Sequence, residues 1–436
     1  MIMKIVFIDP KGVWEGLNNG IAYIVSSIMD KHDVKVIDFV NRPGNVEKRL
    51  QATKDADYVG ISMKSFTLDE SIMAANMIKK INPRARIIAG GPHVMVDGFN
   101  LLSDNPVFDL GVFGEAEVAF AEILSGKDPS LIEGIIYRKD GNVVQNHARE
   151  WLTDLDALPF PNYDSFDSMN SGKIENWPLV TSRGCPYTCT YCNVPTVIGR
   201  KFRIRSGENI LEELRYAHEK YGATEFKVLD DNFTLQMDRA KDICRLFIEE
   251  KLNMKWTCPN GIRADRLDEE LCRLMKQAGC YSISIGVESG DPEVFDKIKK
   301  GEHLEDVEKG IKLAQAAGIK VHGFFIIGLI GSTYEADKRS MEFAKRVGIT
   351  ASWGVLVPYP GTEVWEQVKK DANSRILRDW KAGFHIGARP KPVFDTPEYT
   401  AEERVRAYYY ANMTTIKKKD IPRAAKMIIK GLVAGK

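Results

Sequence analysis

The chain has 436 residues, 44% of them apolar, and 61 Lys and Arg against 60 Asp and Glu give a net charge of +1. This composition fills roughly two or three ordinary globular domains, and it excludes a disulfide-stapled miniprotein or a chain whose bulk charge recruits nucleic acid. The opening residues hold too short an apolar run for a secretory signal, and no stretch reaches membrane-span length, so a cytoplasmic protein is expected, where free thiols and oxygen-sensitive centres persist.

From the N-terminus, Val- and Ile-rich runs alternate with helical patterns. Strands are expected at 3–9, 34–39, 58–63, 85–91 and 108–114, with helices over NNGIAYIVSSIMDKH, 69–81, a short segment near 98–103, and 115–125. Strands apolar on both faces between helices predict an α/β, Rossmann-like doubly wound domain over 1–126. Ligands of such sheets sit beyond the carboxyl ends of the strands, at DPKG (9–12), SMKSFT (62–67), GGPHV (90–94) and GEAE (114–117). Gly90 and Gly91 would let backbone approach a ligand closely, whereas His93 reads on its chemistry alone as a solvated loop residue. Residues 131–150 read as a hairpin turning at Lys139, Asp140 and Gly141, and DLDALPFPNYDSF as an extended linker, together filling 127–175.

From Leu179 the pattern becomes regular strand-then-helix. Strands are expected near 178–182, 224–229, 254–258, 281–286, 319–327 and 352–357, and helices over 207–221, 237–251, 267–278, 303–317 and 334–347. Six such units make a partial (β/α)6 TIM-type barrel over 176–365, with its chemistry in the loops at the carboxyl ends of the strands. The first of these loops, TSRGCPYTCTYCNVP (181–195), sets Cys185, Cys189 and Cys192 in C-x3-C-x2-C spacing, three of the seven cysteines within eight positions. Thiols this close, outside a secreted disulfide framework, read as metal ligands. A four-iron cluster wants four thiolates and this loop supplies three, leaving one iron open. The spacing alone also leaves open a structural zinc site completed by a distant histidine, or buried thiols.

Other unusual residues fall at barrel strand ends. Asp230 and Asp231 follow the second strand, where alternation lets one of them face a ligand as a cation partner; the alternative is a capping pair for the next helix. Glu288 ends the fourth strand, where a carboxylate can accept from two adjacent hydroxyls, or be a surface group. Gly328 and Gly331 end the fifth and leave room for a flat ring on backbone, and VPYPGT (357–362) fixes a loop over the mouth. Arg183, Arg203 and Arg205 flank the cysteine loop, Arg205 being the preferred partner for a carboxylate. Cys244, Cys258, Cys272 and Cys280 lack ligand spacing and are expected as buried thiols. Residues 366–436 read as mostly helical, with the run YYYANM, a basic KKKD (417–420) and an amphipathic tail. That tail is either a helix packed on the barrel or a peripheral contact for anionic lipid or a large apolar substrate.

The cysteine loop, with Gly184, Pro186 and the aromatic Tyr191 around its ligands, resembles the radical S-adenosylmethionine (SAM) superfamily. That resemblance implies a 4Fe-4S cluster on Cys185, Cys189 and Cys192, SAM on the open iron, and reductive cleavage to a 5′-deoxyadenosyl radical with electrons from a flavodoxin or ferredoxin. It further implies SAM contacts from Tyr191, Arg205, Asp230, Asp231, Glu288 (at the ribose) and Gly328. The segments GISMKSFT, AGGPHV and FGEAE resemble the cobalamin (B12)-binding domain that precedes many radical SAM domains, implying cobalamin contacts from Ser62, Gly90, Gly91, His93, Gly114 and Glu115. The hairpin and DLDALPFP linker recur in the same proteins, so the resemblance runs from about residue 20 to about 365. One departure stands out: cobalt-ligating domains carry Asp-x-His-x-x-Gly after the first strand, and this chain reads DPKGVWEG, which excludes lower axial ligation by that loop. A domain that has lost cobalamin and remains as a scaffold stays open. The implied activity is that of a class B radical SAM methyltransferase, acting on an unactivated carbon of a small-molecule or lipid-like substrate. The alternatives are a cyclase or oxidase of the anaerobic magnesium-protoporphyrin ester cyclase type, and a non-catalytic corrinoid carrier with a structural cluster.

Overall fold

The apolar runs become strands stripped of water on both faces: Val6, Ile8, Val59, Ile61 and Ile87 are buried on one, and Ile5, Phe7, Tyr58 and Ile88 on the other. The computed structural model describes residues 2–12, 16–169, 171–383 and 390–415. The chain divides into two compact units, Met1–Ile174 with Thr196–Ile198, and Glu175–Pro195 with Gly199–Lys436.

In the first unit β1 (Lys4–Asp9), α1 (Asn19–Ile28), β2 (Asp33–Asp38), α2 (Val46–Leu50), β3 (Tyr58–Ser62), α3 (Leu68–Ile81), β4 (Arg86–Gly90), α4 (Pro92–Asp104), β5 (Leu110–Val112) and α5 (Ala116–Leu124) alternate. The hairpin β6 (Ile135–Lys139) and β7 (Asn142–Gln145) follows. The sheet order is β2-β1-β3-β4-β5-β6-β7, with the first five strands parallel and the hairpin antiparallel at one edge. The order reverses between β1 and β3, so Asp9 and Ser62 end the two strands that flank the topological switch point. The doubly wound reading holds, and the hairpin joins the same sheet through the buried Ile135 and Ile136.

The helix after β4 corrects the expected short segment near 98–103: it starts at Pro92 and runs to Asp104. Pro92 is preorganised for a first helical turn, and Val94, Leu101 and Leu102 bury its inner face, with one non-helical residue, Asp97, absorbed as a kink. His93 therefore sits in a helix and is 1% exposed, rather than in a solvated loop.

In the second unit the elements are β8 (Asn176–Leu179), β9 (Ser182–Arg183), α6 (Val194–Val197), β10 (Arg203–Ile204), α7 (Gly207–Tyr221), β11 (Glu225–Val228), α8 (Met237–Glu249), β12 (Lys255–Ile262) and α9 (Glu269–Gln277). They continue as β13 (Cys280–Glu288), α10 (Pro292–Lys297), α11 (Leu304–Ala316), β14 (Lys320–Ile327), α12 (Tyr334–Arg346), β15 (Thr350–Val355), α13 (Glu363–Lys370) and α14 (Ala401–Thr415). Six strands pair in parallel in the order β15-β14-β13-β12-β11-β8, the partial barrel that the strand-helix alternation predicts. Trp177, Phe226 and Trp256 fill its core, the latter two stacked at 5.7 Å. Helix starts are written in the sequence: Ser206, Asp268, Asp291, Thr333 and Thr362 each accept a backbone N–H at the head of a helix. The two-residue pair β9 and β10, which brackets the cysteine loop, has no signal in the hydrophobic pattern.

α14 packs on α12 and β15, and it carries the YYYANM run. The KKKD tract and the amphipathic tail lie outside the described residues. Among those described, no helix is long and apolar enough to cross a membrane.

The Thr333 hydroxyl accepts from the Ala336 amide at 3.2 Å and is the side-chain cap of α12. Thr333→Ala is expected to lower unfolding free energy by about 1 kcal/mol, read as a lower urea midpoint with an unchanged slope; an unchanged midpoint would mean that the cap carries no net stability.

Candidate active site

Two adjacent aspartates at the end of β11 build the floor of the site. Asp230 Oδ1 accepts the Thr181 amide at 2.6 Å, and Oδ2 accepts the Thr181 and Ser182 hydroxyls at 2.5 and 2.6 Å. These bonds lash the segment after β8 to the end of β11. Burial pushes the Asp230 carboxyl up, and the same three donors oppose that shift. Asp231, past the end of β11, accepts the Gly184 amide beside Cys185. Burial and then the neighbouring Asp230 push its carboxyl up to about 6.

Gly184 opens the cysteine loop with φ 91°, and a Cβ there would lie 2.3 Å from the Lys201 carbonyl oxygen, so the position admits only glycine. The loop then hangs on backbone bonds: Cys185 N to Gly199 O (3.1 Å), Thr190 N to Ile298 O (3.0 Å) and Val364 N to Thr190 O (3.0 Å). Cys185, Cys189 and Cys192 are half-buried reduced thiols, whereas Cys244, Cys258, Cys272 and Cys280 are buried, as the lack of ligand spacing implies. Burial raises all three loop thiols, Cys192 up to about 12. Three thiols and no fourth donor from the loop are a set that a four-iron cluster with one open iron would fit.

Glu288 closes β13 at φ 64°, just past a register break at Gly286. A left-handed backbone at a non-glycine residue stores strain, and here it brings the carboxylate to the Tyr191 hydroxyl, which donates to it. Burial pushes the Glu288 carboxyl up, with the Lys300 ammonium opposing. Tyr191 and Glu288, expected at the same ligand from separate motifs, thus meet.

The other expected SAM contacts are placed differently. Arg205 points into a buried pair with Glu213, which also accepts Trp177 Nε1 at 2.7 Å, and donates to Asn209 Oδ1 (2.7 Å) and Val180 O (2.9 Å). Its guanidinium fixes β8 to α7. Gly328 has φ 77°, but the space a side chain would fill there is taken by Arg404 from α14, and that beside Gly331 by Lys297. The Gly328 amide and the Ser332 and Tyr399 hydroxyls all donate to Asp337, at 3.1, 2.8 and 2.6 Å. This carboxylate ties the loop after β14 to the C-terminal segment.

In the first unit, Ser62 Oγ accepts Asn18 Nδ2 (3.1 Å), which also reaches Asp9 Oδ1 (2.9 Å), and Lys64 Nζ lies 3.1 Å from that same oxygen. A polar cluster thus occupies the switch point, with Asn18 and Lys64 as members that the sequence pattern did not single out. Gly90 and Gly114 face open space, whereas a Cβ on Gly91 would meet the Met63 carbonyl at 2.9 Å. His93 Nδ1 bonds Ser65 Oγ at 3.0 Å, and Glu115 accepts the Leu152 amide at 2.7 Å. The barrel likewise holds two cations that sequence reasoning missed, Arg263 and Lys300, both sensed by the Cys189 thiol. Their placement just past a strand end and in a strand-end loop was the available signal.

Burial pushes the Asp337 carboxyl from 3.8 up to about 6, against the Tyr399, Ser332 and Gly328 donors. Its folded pKa lies above the unfolded one, so its contribution to stability is full below the unfolded value and is lost as pH rises through the folded one, about 3 kcal/mol in all. Urea unfolding of wild type and Asp337→Asn from pH 4 to pH 7 should show wild type losing more stability over that window; parallel pH profiles would contradict the assignment.

Comparison with known proteins places the two units in known domain families. The Radical SAM superfamily matches residues 179–361, and the B12 binding domain matches residues 3–124. An uncharacterized methyltransferase of Pyrococcus horikoshii is 31% identical over 394 residues, 88% of this chain and 84% of that one. An anaerobic magnesium-protoporphyrin IX monomethyl ester cyclase of Rubrivivax gelatinosus is 24% identical over 332 residues, 72% of this chain and 59% of that one. Among solved structures, the radical SAM methyltransferase TsrM of Kitasatospora setae, with cobalamin and an iron–sulfur cluster bound, superposes with TM-score 0.78 at 16% identity over 96% of this chain and 92% of that one, a likeness of fold. The chain belongs to the radical SAM enzymes that carry an N-terminal B12-binding domain.

Proposed function

We propose that the protein is a cobalamin-dependent radical SAM methyltransferase that acts on an unactivated carbon of a small-molecule or lipid-like substrate. The observation that carries this reading is the gathering of three half-buried thiols, the Asp231 carboxylate and the Tyr191–Glu288 pair around one loop at the carboxyl ends of the barrel strands. When bound, a cluster on Cys185, Cys189 and Cys192 supplies the electron that cleaves SAM, and cobalamin in the first unit supplies the methyl group. The chain's own residues position and exclude water. Asp231, when ionised, is a partner for the SAM ammonium, and Glu288 offers the acceptor that two ribose hydroxyls need. Asp230 keeps the loop in register with β11, and the half-buried Tyr191 packs beside the third cysteine, its hydroxyl donating to Glu288. Methyl transfer is favoured over ring closure because the methyltransferase relative is the more identical of the two and is matched over more of its length.

The donor set and open-iron chemistry also support a flavodoxin- or ferredoxin-type electron donor and a reducing cytoplasmic setting. The same cluster of SAM-facing groups argues against a carrier, which would need none of them.

The test is anaerobic reconstitution of the full chain with iron, sulfide and hydroxocobalamin, followed by SAM and a low-potential reductant. 5′-Deoxyadenosine should appear, and the protein should retain the cobalamin absorbance after desalting. Absence of 5′-deoxyadenosine would contradict the radical reading, and nucleoside formation without any cobalamin retained would contradict methyl transfer from cobalamin.

A further inference from the structure

Tyr187 lies inside the C-x3-C stretch, between Cys185 and Cys189, and three arginines hold it. The Arg263 guanidinium stacks 3.7 Å from its ring centroid, Arg266 Nε donates to its hydroxyl at 3.2 Å, and Arg200 Nη1 donates to its carbonyl at 3.4 Å. The Tyr187 amide in turn donates to the Cys185 sulfur. Of the three, Arg263 is the buried one, 5% exposed.

A guanidinium out of water is costly unless its fork is filled. Arg263 meets Asp265 through Nε–Oδ1 (2.9 Å) and Nη2–Oδ2 (3.0 Å), donates to Gly301 O (3.0 Å) and to Lys300 O, and has Glu302 at 4.0 Å. Lys300 sits 2.7 Å from Glu302 and donates to the Gly286 carbonyl. The guanidinium is thus locked from one side by this ion cluster and presents its flat face to the loop tyrosine. Tyr187 lies two residues after Cys185 and two before Cys189, so the stacked guanidinium sets a buried positive charge against the middle of the C-x3-C stretch.

We propose that Arg263 is a positioning residue for the iron–sulfur centre: by clamping Tyr187 it fixes the N–H···S bond to Cys185, and its buried charge beside Cys185 and Cys189 raises the reduction potential of a cluster bound there. Hydrogen bonds to ligand sulfurs and nearby positive charge stabilise the more negative, reduced cluster, which sets the direction. The proposal rests on the reading that the three cysteines carry the cluster.

The test is a redox titration of the anaerobically reconstituted full chain, followed by the EPR signal of the reduced cluster, with iron and sulfide counted per chain. Arg263→Gln is expected to lower the reduced-to-oxidised ratio at a fixed potential about tenfold, about 59 mV for one electron. Arg263→Lys, which keeps the charge and loses the fork and the flat stack, is expected to fall between the two. A midpoint in Arg263→Gln equal to wild type at full iron content overturns the proposal. Should Arg263→Gln fail to fold by far-UV circular dichroism, Tyr187→Leu decides: it spares the Arg263–Asp265 pair, and a wild-type midpoint there overturns the proposal, whereas a lowered one supports it. Wild-type protein that takes up no iron and sulfide takes down the cluster reading and this proposal with it; a loaded wild type with an unmoved variant takes down only the proposal.

Discussion

One carboxylate organises the catalytic end of the barrel. Asp230 takes three short hydrogen bonds from Thr181 and Ser182 across the gap between β8 and β11. Bonds to a charged acceptor are worth about 1.5–3 kcal/mol each, and a buried carboxylate without them would not stay ionised. Because Thr181 and Ser182 lead directly into Gly184 and the cysteines, this fixed point sets where the loop leaves the barrel. The neighbouring Asp231 instead accepts the Gly184 amide at the start of the cysteine loop.

The loop that starts there is short of charge compensation within itself, and its surroundings supply it. Burial pushes each thiol toward its neutral form, while Arg263 and Lys300 below the loop act the other way on Cys189. The thiolate, which is the ligand, is therefore disfavoured by desolvation and favoured by the buried cations and by metal. Glu288, held by Tyr191 on a strained backbone, and Asp231, held by Gly184, place acceptors beside the thiols without altering their spacing. A rigid scaffold thus brings three thiols and two carboxylates together from different strand ends, which is how barrel folds assemble sites.

Much of this was legible in the sequence because it depends on local pattern. Hydrophobic period places the parallel strands of both units and most of the helices between them, and the cysteine spacing with Gly184 marks the loop. What escaped depends on partners distant in the chain. Arg205 was read toward the cysteines because it is near them in sequence, yet Glu213, one helix face along, claims its guanidinium. Gly328 was read as room for a flat ring, yet Arg404, from a helix beyond the barrel, fills the side its missing Cβ leaves. His93 was read as solvated because a histidine after two glycines suggests a loop, whereas Pro92 starts a helix there and buries it. The clamp of three arginines on Tyr187 joins Arg200, just after the loop, with Arg263 and Arg266 from past β12, and no spacing rule announces it.

The central claim is that the three cysteines leave one corner of a cluster open to SAM beside Asp231 and Glu288. The most direct measurement is the EPR spectrum of the reduced, reconstituted protein before and after SAM is added. A SAM-dependent change in the g-values, retained in wild type and weakened in Glu288→Gln, is the result this account predicts. A reduced-cluster spectrum indifferent to saturating SAM would mean that the open corner does not receive it, and would contradict the account.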